Sequence, residues 1–440
     1  MRDVLIDLGE VPSGEPEPAS PRAPFPYRWI LGPLTLVLAV LLGGGGPWPQ
    51  PPPEPVVLPL TLNDGIRIDN DRLYVIGPAD PLGRVVRDHL VRVYELPGLI
   101  LLNTYRVTVP GDIHLLSDLG DGLLLISYSD VQTGAPGTAV MRPGDAPVWD
   151  RPVSLYGVAP DRGVLLVHEG HEDAVEGRPG RSVWHGLDPR TGAVRWSVEQ
   201  PERGQVAMPV ETFWSGFPER IYTMRGDGLI EARSTSTGAV ITSARLTGPP
   251  RDDTELWAIG GLLMVGQGTT ETVAYDQVTL AERWRRPGPV VPEEGYPHDC
   301  RPTICIASYG GGGFSAVDPA DGRRLWHVDG YDSSEVIDGH VLVASASQAE
   351  PVLALLDPVT GRVVTRITGW VSGGSGPAPG TAWVHHVAQP GYHLRYGVLD
   401  LTDGRVRLLG RAERIAGGCQ FGTTVLVCRR LDSSVAVWRL

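Results

Sequence analysis

The phrase "GLDPRTGAVRW" at 186–196 returns as "AVDPADGRRLW" at 316–326 and as "LLDPVTGRVV" at 355–364. Each copy is a turn with a strand on either side. An Asp carboxylate accepts hydrogen bonds from the backbone amides that follow it, and Pro arrives with φ already set. A Gly four residues later can take the left-handed conformation that sends the chain back. Aligned on the Asp, the phrase recurs at Asp188, Ser234, Asp276, Asp318, Asp357 and Asp400, with degenerate copies at Glu95 and Arg142. Gly follows four positions later at Gly192, Gly238, Gly322, Gly361 and Gly404, and Trp follows eight positions later at Trp196, Trp284 and Trp326. A phased repeat of roughly 43 residues excludes a chain of unrelated domains, so the fold is that of its repeat.

Four short strands fit into each period. In one of them they are "SSEVID" (333–338), "HVLVASAS" (340–347), "PVLALLD" (351–357) and "RVVTRI" (362–367). Four antiparallel strands in 40–50 residues make a β-propeller blade, which buries both faces only when flanked by other blades. The Trp after each turn falls on the outermost strand, where it can wedge against the next blade. "RIAGGCQ", "TTVLVCRR" and "SSVAVWRL" at the end are three strands without a fourth, and "PVVLPLTL" (55–62) is an orphan strand near the start. Joining them in one blade would close the ring and leave no free edge.

The x-D-P-x-T-G-x-x-x-W phrase resembles the tryptophan-docking repeat of pyrroloquinoline quinone (PQQ)-type propellers. That group includes the quinoprotein dehydrogenases and cofactor-free relatives such as the outer-membrane assembly propeller. The resemblance covers residues 56–440, is strongest at 186–196 and 316–326, and weakens before 150. It implies an all-β propeller of four-stranded blades. Eight blades are the norm of that family and are expected here, although a literal count of the turns leaves nine open. The WD40 signature is missing, since Trp149-Asp150 has no Gly-His partner.

Ahead of the propeller, the run from Trp29 to Gly46 carries no charge. As a helix it would be roughly 27 Å long, about one bilayer core. The expected organisation is a disordered cytoplasmic tail (1–28), a transmembrane helix (29–46), a proline-rich stalk (47–55) and the propeller (56–440). A cleaved signal peptide is the rival reading. Arg22 and Arg28 precede the run and no basic residue follows it before Arg67. The positive-inside rule then implies a single-pass protein with its N-terminus in the cytoplasm, its propeller outside and its helix in the lipid bilayer.

A formal net charge of −13 argues against a general nucleic-acid binder. All 38 basic residues are Arg, which removes Schiff-base and P-loop lysine chemistry. Four Cys allow three pairings. Cys300 with Cys305 and Cys419 with Cys428 each straddle the turn between the first two strands of a blade, where paired hairpin positions approach disulfide distance. Four buried thiols are the alternative, and zinc lacks the Cys-x2-Cys spacing.

The segment "VHEGHEDAVEG" concentrates His168, Glu169, His171, Glu172 and Asp173, and its plainer reading is a solvated acidic loop. His385 and His386 are adjacent, so a strand sends them to opposite sides. Arg225-Gly226-Asp227 reads as turn chemistry rather than an adhesion tripeptide. Ser375 in "GGSGPAPG" lacks the strand–turn–helix setting of a nucleophile elbow.

Quinoprotein dehydrogenases hold PQQ and Ca²⁺ at the propeller axis, many against a disulfide of adjacent cysteines. This chain has no Cys-Cys pair and no Cys-x-x-Cys-His haem motif. No catalytic residue, cofactor or metal is therefore expected. The expected function is a non-catalytic extracytoplasmic scaffold tethered to the membrane, binding a protein or a cell-envelope ligand. A PQQ-dependent oxidoreductase of alcohols or sugars is the alternative. The segments 167–182, 286–299 and 371–380, with Trp184 and Trp370 close by, are the expected binding loops.

Overall fold

The computed structural model describes residues 54–440 except 70, 79–87, 145, 160, 171–181, 201–203, 211–215, 248–249, 252, 293–294, 309–312, 346–349 and 389–391. Its 36 strands form nine four-stranded antiparallel sheets. Eight of these blades are built from consecutive strands: 65–108, 111–151, 154–200, 205–245, 254–287, 295–328, 333–368 and 371–412. The first strand of each is innermost, and at most joints the innermost strands of neighbouring blades touch, as Thr254–Ile259 does Gly295–Cys300. In the ninth, Ile415–Phe421, Val425–Arg430 and Val435–Arg439 are joined by Val56–Leu58 from the start of the propeller. The innermost strands of blades 1 and 9, Gly65–Asp69 and Ile415–Phe421, also touch, so the ring is closed.

The recurring phrase forms the turn between the third and outermost strands. At Asp188 the Gly192 amide donates to the Asp188 carbonyl at 2.8 Å. The Arg190 and Thr191 amides reach the Asp188 carboxylate at 3.0 and 3.1 Å. Gly192 has φ 66°, where a side chain would be strained. The same bonds recur at Asp276, Asp357 and Asp400.

Four of the five turn glycines have a Trp ring as a second reason to lack a side chain. The outermost strand of one blade lays a Trp ring on the Gly of the next blade's turn. A Cβ on Gly192, Gly238, Gly322 or Gly361 would lie 2.5–2.9 Å from Trp149, Trp196, Trp284 or Trp326. The indole N–H then donates to a backbone carbonyl of that turn: Pro189, Thr235, Pro319 and Pro358 respectively, at 2.8–3.0 Å. Blade 4 carries Thr242 at the Trp position, and the turn it faces carries Leu280, at φ 54° and 3% exposed, in place of Gly. The joint between blades 7 and 8 keeps the Gly without the Trp: Thr365 stands at the Trp position, 2.6 Å from where a Cβ on Gly404 would lie. At blade 8 the Trp position is Leu408, 58% exposed, because the ninth blade has no such turn to receive it.

Closure uses side chains as well as strand pairing. Val56, Val57 and Leu58 pair with Val437, Ala436 and Val435. Gln420 inserts its amide into the edge of the first blade, accepting from the Ile68 amide at 2.9 Å and donating to the Ile66 carbonyl at 3.1 Å. Arg429 donates to the Thr61 carbonyl at 2.9 Å and to the carbonyl of Asp64. Asp64, 6% exposed, accepts from the Thr61 amide at 2.8 Å and faces Arg92. Leu58 and Leu60 complete a core with Tyr94, Leu96, Leu99 and Val437.

Two expectations are corrected. The ring has nine blades, not eight. Eight turns mark eight blades, and the closing blade adds one without a turn because its outer strand comes from the start of the propeller. The second concerns the membrane. Residues 29–46 lie outside the described residues, and among those described no helix is long and apolar enough to cross a membrane. An uncharged run is a hydropathy signal only, and this one contains Pro33 and Gly43–Gly46, which are poor helix formers. The transmembrane helix, the single-pass placement and the bilayer contact have no structural support and are set aside.

The turns give the fold an acid limit. Backbone hydrogen bonds from Thr279, Thr360 and Thr402 hold the Asp276, Asp357 and Asp400 carboxyls below their ordinary value, that of Asp276 at about 2. Folded values below unfolded ones mean that this stabilisation is complete above the unfolded value near 3.9 and is lost as pH falls toward 2. Stability should therefore drop between about pH 4 and 2. The drop should be shallower in Asp276→Asn, whose amide oxygen keeps the turn bonds without titrating. Equal acid slopes for the two proteins in urea melts would contradict this.

Candidate binding site at the junction of blades 5 and 6

Strand alternation separates two faces of the propeller. One carries the Asp-Gly turns; the other carries the connectors between blades and the turns between second and third strands. On this second face, the connector "PGPVVP" (287–292) leads from the outermost strand of blade 5, Glu282–Pro287, to the innermost strand of blade 6, Gly295–Cys300. The connector is pinned. Thr272 donates its hydroxyl to the Gly288 carbonyl at 3.0 Å and accepts from the Val290 amide at 3.0 Å. Val290 and Val291 are buried in the core shared by blades 5 and 6.

Two cavities flank this connector. The larger, about 450 Å³, is lined by Val290, Ile306 and Val317, with Arg286, Arg324 and His327 as its charged or titratable members. The second, about 430 Å³, has Trp257 and Met264 among its apolar members, and its charged groups are Asp253 and Glu255. Pro289 lines both. Apolar walls with a few polar groups and volumes of this size suit small-molecule or side-chain ligands. The two cavities are opposite in charge.

The side chains around the larger cavity are held in place. Along Glu282–Pro287, Arg283 and Arg285 face outward and are paired with Asp276 at 2.9 Å, and with Glu271 and Glu282, each at 3.0 Å. Trp284 and Arg286 alternate to the other side. The Arg286 guanidinium donates to the Gly322 carbonyl, beside the Trp284 ring. On blade 6, Ser315 is bonded to His327 Nδ1 at 2.8 Å and Asp329 to its Nε2 at 2.8 Å.

A Ser–His–Asp relay invites a hydrolytic reading. The same cross-strand set recurs in blade 3, where Ser197 meets His185 Nδ1 at 2.8 Å and Glu169 meets its Nε2 at 3.1 Å, yet His185 lines neither cavity. Asp329 is 80% exposed, so nothing holds it dry. We assign the relays to strand pairing.

The other sequence candidates resolve as follows. His168 and Glu169 lie on the strand Val164–Gly170 and turn to opposite sides. His168 packs on Tyr156 and Trp184 and is bonded to Ser182, with burial lowering its pKa. His171, Glu172 and Asp173 lie outside the described residues. No group of three metal-ligating side chains occurs among those described. His385 and His386 do face apart, toward Phe421 and Trp370. Asp227 accepts from the Leu229 amide at 3.2 Å, as a turn residue does. Ser375 ends the strand Val371–Ser375.

Cys300–Cys305 and Cys419–Cys428 are disulfides, as the hairpin spacing implied, and no free cysteine remains. Of the expected binding loops, 286–292 lies at the two cavities, while 293–294 are outside the described residues and 295–299 belongs to the innermost strand of blade 6. Most of 167–182 is outside the described residues, and 371–375 is the innermost strand of blade 8 rather than a loop. Trp184 is 5% exposed and packs against Met208 and Ile221, so it is core. Trp370 packs against the core between blades 7 and 8. Sequence reasoning missed Trp149 as a docking residue because its own blade's turn at Arg142 is degenerate. The cavities depend on which side chains meet across blades, and the sequence carries no signal for that.

No family model and no curated protein matches this chain. Among solved structures, BamB from Moraxella catarrhalis is 16% identical, covering 74% of this chain and 96% of its own, with a TM-score of 0.38. The computationally designed Ika8 protein is 13% identical, covering 76% and 97%, with a TM-score of 0.41. The C-terminal WD40 domain of Sif2 is 11% identical, covering 75% and 99%, with a TM-score of 0.39. Likenesses this low carry no argument about activity. The propeller assignment stands on the nine sheets and their closure.

Proposed function

We propose that this protein is a non-catalytic binding scaffold and a cofactor-free relative of the PQQ-type repeat propellers. Its partner, a protein or an envelope polymer, docks on the face of the inter-blade connectors at blades 5 and 6. The observation that carries this reading is the pair of oppositely charged cavities meeting at Pro289. A rigid ring holding a pinned connector between two recesses is the arrangement on which binding sites are commonly built. The repeat chemistry supports the relationship: in blades 3, 6 and 7 an Asp-anchored turn, its left-handed Gly and a docked Trp from the preceding blade occur together. The two disulfides require an oxidising environment to persist.

The test is site-specific photo-crosslinking in cells of origin. A photoreactive residue at Asp253 or Pro289, on the connector face, should capture one common partner. The same residue at Val359, on the opposite face, should not. Capture at Val359 alone, or no capture at the first two, would contradict the docking face. For the non-catalytic reading, adding PQQ and Ca²⁺ should give no quinone uptake and no dye reduction with alcohols or aldoses. Substrate-dependent turnover would overturn it.

A further inference from the structure

We propose that the larger cavity between blades 5 and 6 binds an organic carboxylate carried on an apolar group. The argument begins with charge. Every charged or titratable side chain that lines it is basic: Arg286, Arg324 and His327. In a chain with 51 acidic residues, that is a local reversal of sign. Their neighbours show how arginines on these strands are usually satisfied, since Arg283, Arg285 and Arg323 all pair with carboxylates. Arg286 and Arg324 pair with none among the described residues. Two guanidiniums that face a recess and meet no carboxylate among the described residues leave an anion-sized demand.

The shape of that demand is specific. Arg286 uses part of its fork on the Gly322 carbonyl, which fixes the plane of the guanidinium and leaves its remaining N–H groups for a ligand. A planar fork matches a planar carboxylate bidentately, which a spherical anion does not exploit. Beneath the charges lie Val290, Ile306 and Val317, all buried, a floor suited to a hydrocarbon rather than a hydrated ion. His327 is engaged at both ring nitrogens and acts as a wall. This inference does not rest on the scaffold reading: it holds even if no partner protein is captured.

The experiment is calorimetric titration of the full-length protein with butyrate, hexanoate and octanoate, and with inorganic phosphate and octyltrimethylammonium as comparisons. Affinity should rise about fourfold per added methylene. Arg324→Gln, an exposed change that leaves the turn bonds alone, should weaken octanoate at least tenfold with an unchanged melting temperature. Arg405→Gln, an exposed arginine on blade 8 outside both cavities, should leave binding as it was. Three results would each overturn the proposal: no saturable octanoate binding at millimolar concentration, unchanged binding by Arg324→Gln, or phosphate binding as tightly as octanoate. Tighter binding of octyltrimethylammonium than of octanoate would do the same.

Discussion

Deleting residues 55–62 from the full-length chain is expected to lower stability by about 3–5 kcal/mol, a large share of what holds a typical domain folded. The segment is short, but its removal acts in three places. Val435–Arg439 loses its partner strand and becomes a free edge. Leu58 and Leu60 leave the core that contains Tyr94 and Leu96. Arg429 loses the Thr61 carbonyl, and Asp64 loses the Thr61 amide while remaining buried against Arg92. A buried carboxylate that loses a donor costs more than the bond itself contributed. Urea unfolding of the deletion variant should show an early transition. A variant that unfolds with the parent would show that the segment does not close the ring.

Replacing Trp196 by Ala is expected to cost about 3–5 kcal/mol, the range for a large aromatic removed from a core. Trp196 is 8% exposed; its ring covers Gly238 and its N–H satisfies the Thr235 carbonyl at 2.9 Å. Thr235 is itself buried, and its hydroxyl donates to the Pro218 carbonyl at 2.5 Å, so the indole ties the turn to the next blade's own framework. Gly238→Ala attacks the same joint from the other side. It sets a side chain at φ 71° and 2.9 Å from the ring. The two changes should be less than additive, because a shortened residue 196 gives the new methyl room. Full additivity in a double-mutant cycle would mean that the ring and the glycine are not one joint.

The parts of this fold legible in the sequence are those built from local chemistry. Asp, Gly and Trp at fixed offsets specify a turn, a left-handed residue and an inter-blade wedge, and all three stand where the phrase places them. The strands expected over 333–367 are observed as Ser333–Ile337, His340–Ser345, Val352–Leu356 and Val363–Thr368. The orphan strand at 55–62 was recognisable because an unmatched strand at each end of a repeat array implies one shared blade. The blade count went astray where the family norm displaced the arithmetic of the turns.

The closing contacts were not legible, since Gln420 and Arg429 act on backbone more than 350 residues away in sequence. Nor were the cavities, which exist only because the inward side of one blade's outer strand faces the floor of the next. The loop reading at 371–375 failed for a related reason. Glycine and serine there follow a loop's composition, but the inner strand of a blade tolerates small residues where strands crowd toward the axis.

A crystal structure of the full-length protein tests the ring most directly. Nine four-stranded sheets are expected around the axis, with Val57 opposite Ala436 in the closing blade and Trp196, Trp284 and Trp326 each seated on the following turn glycine. An eight-bladed ring, or a first strand lying elsewhere than against Val435–Arg439, would contradict the account.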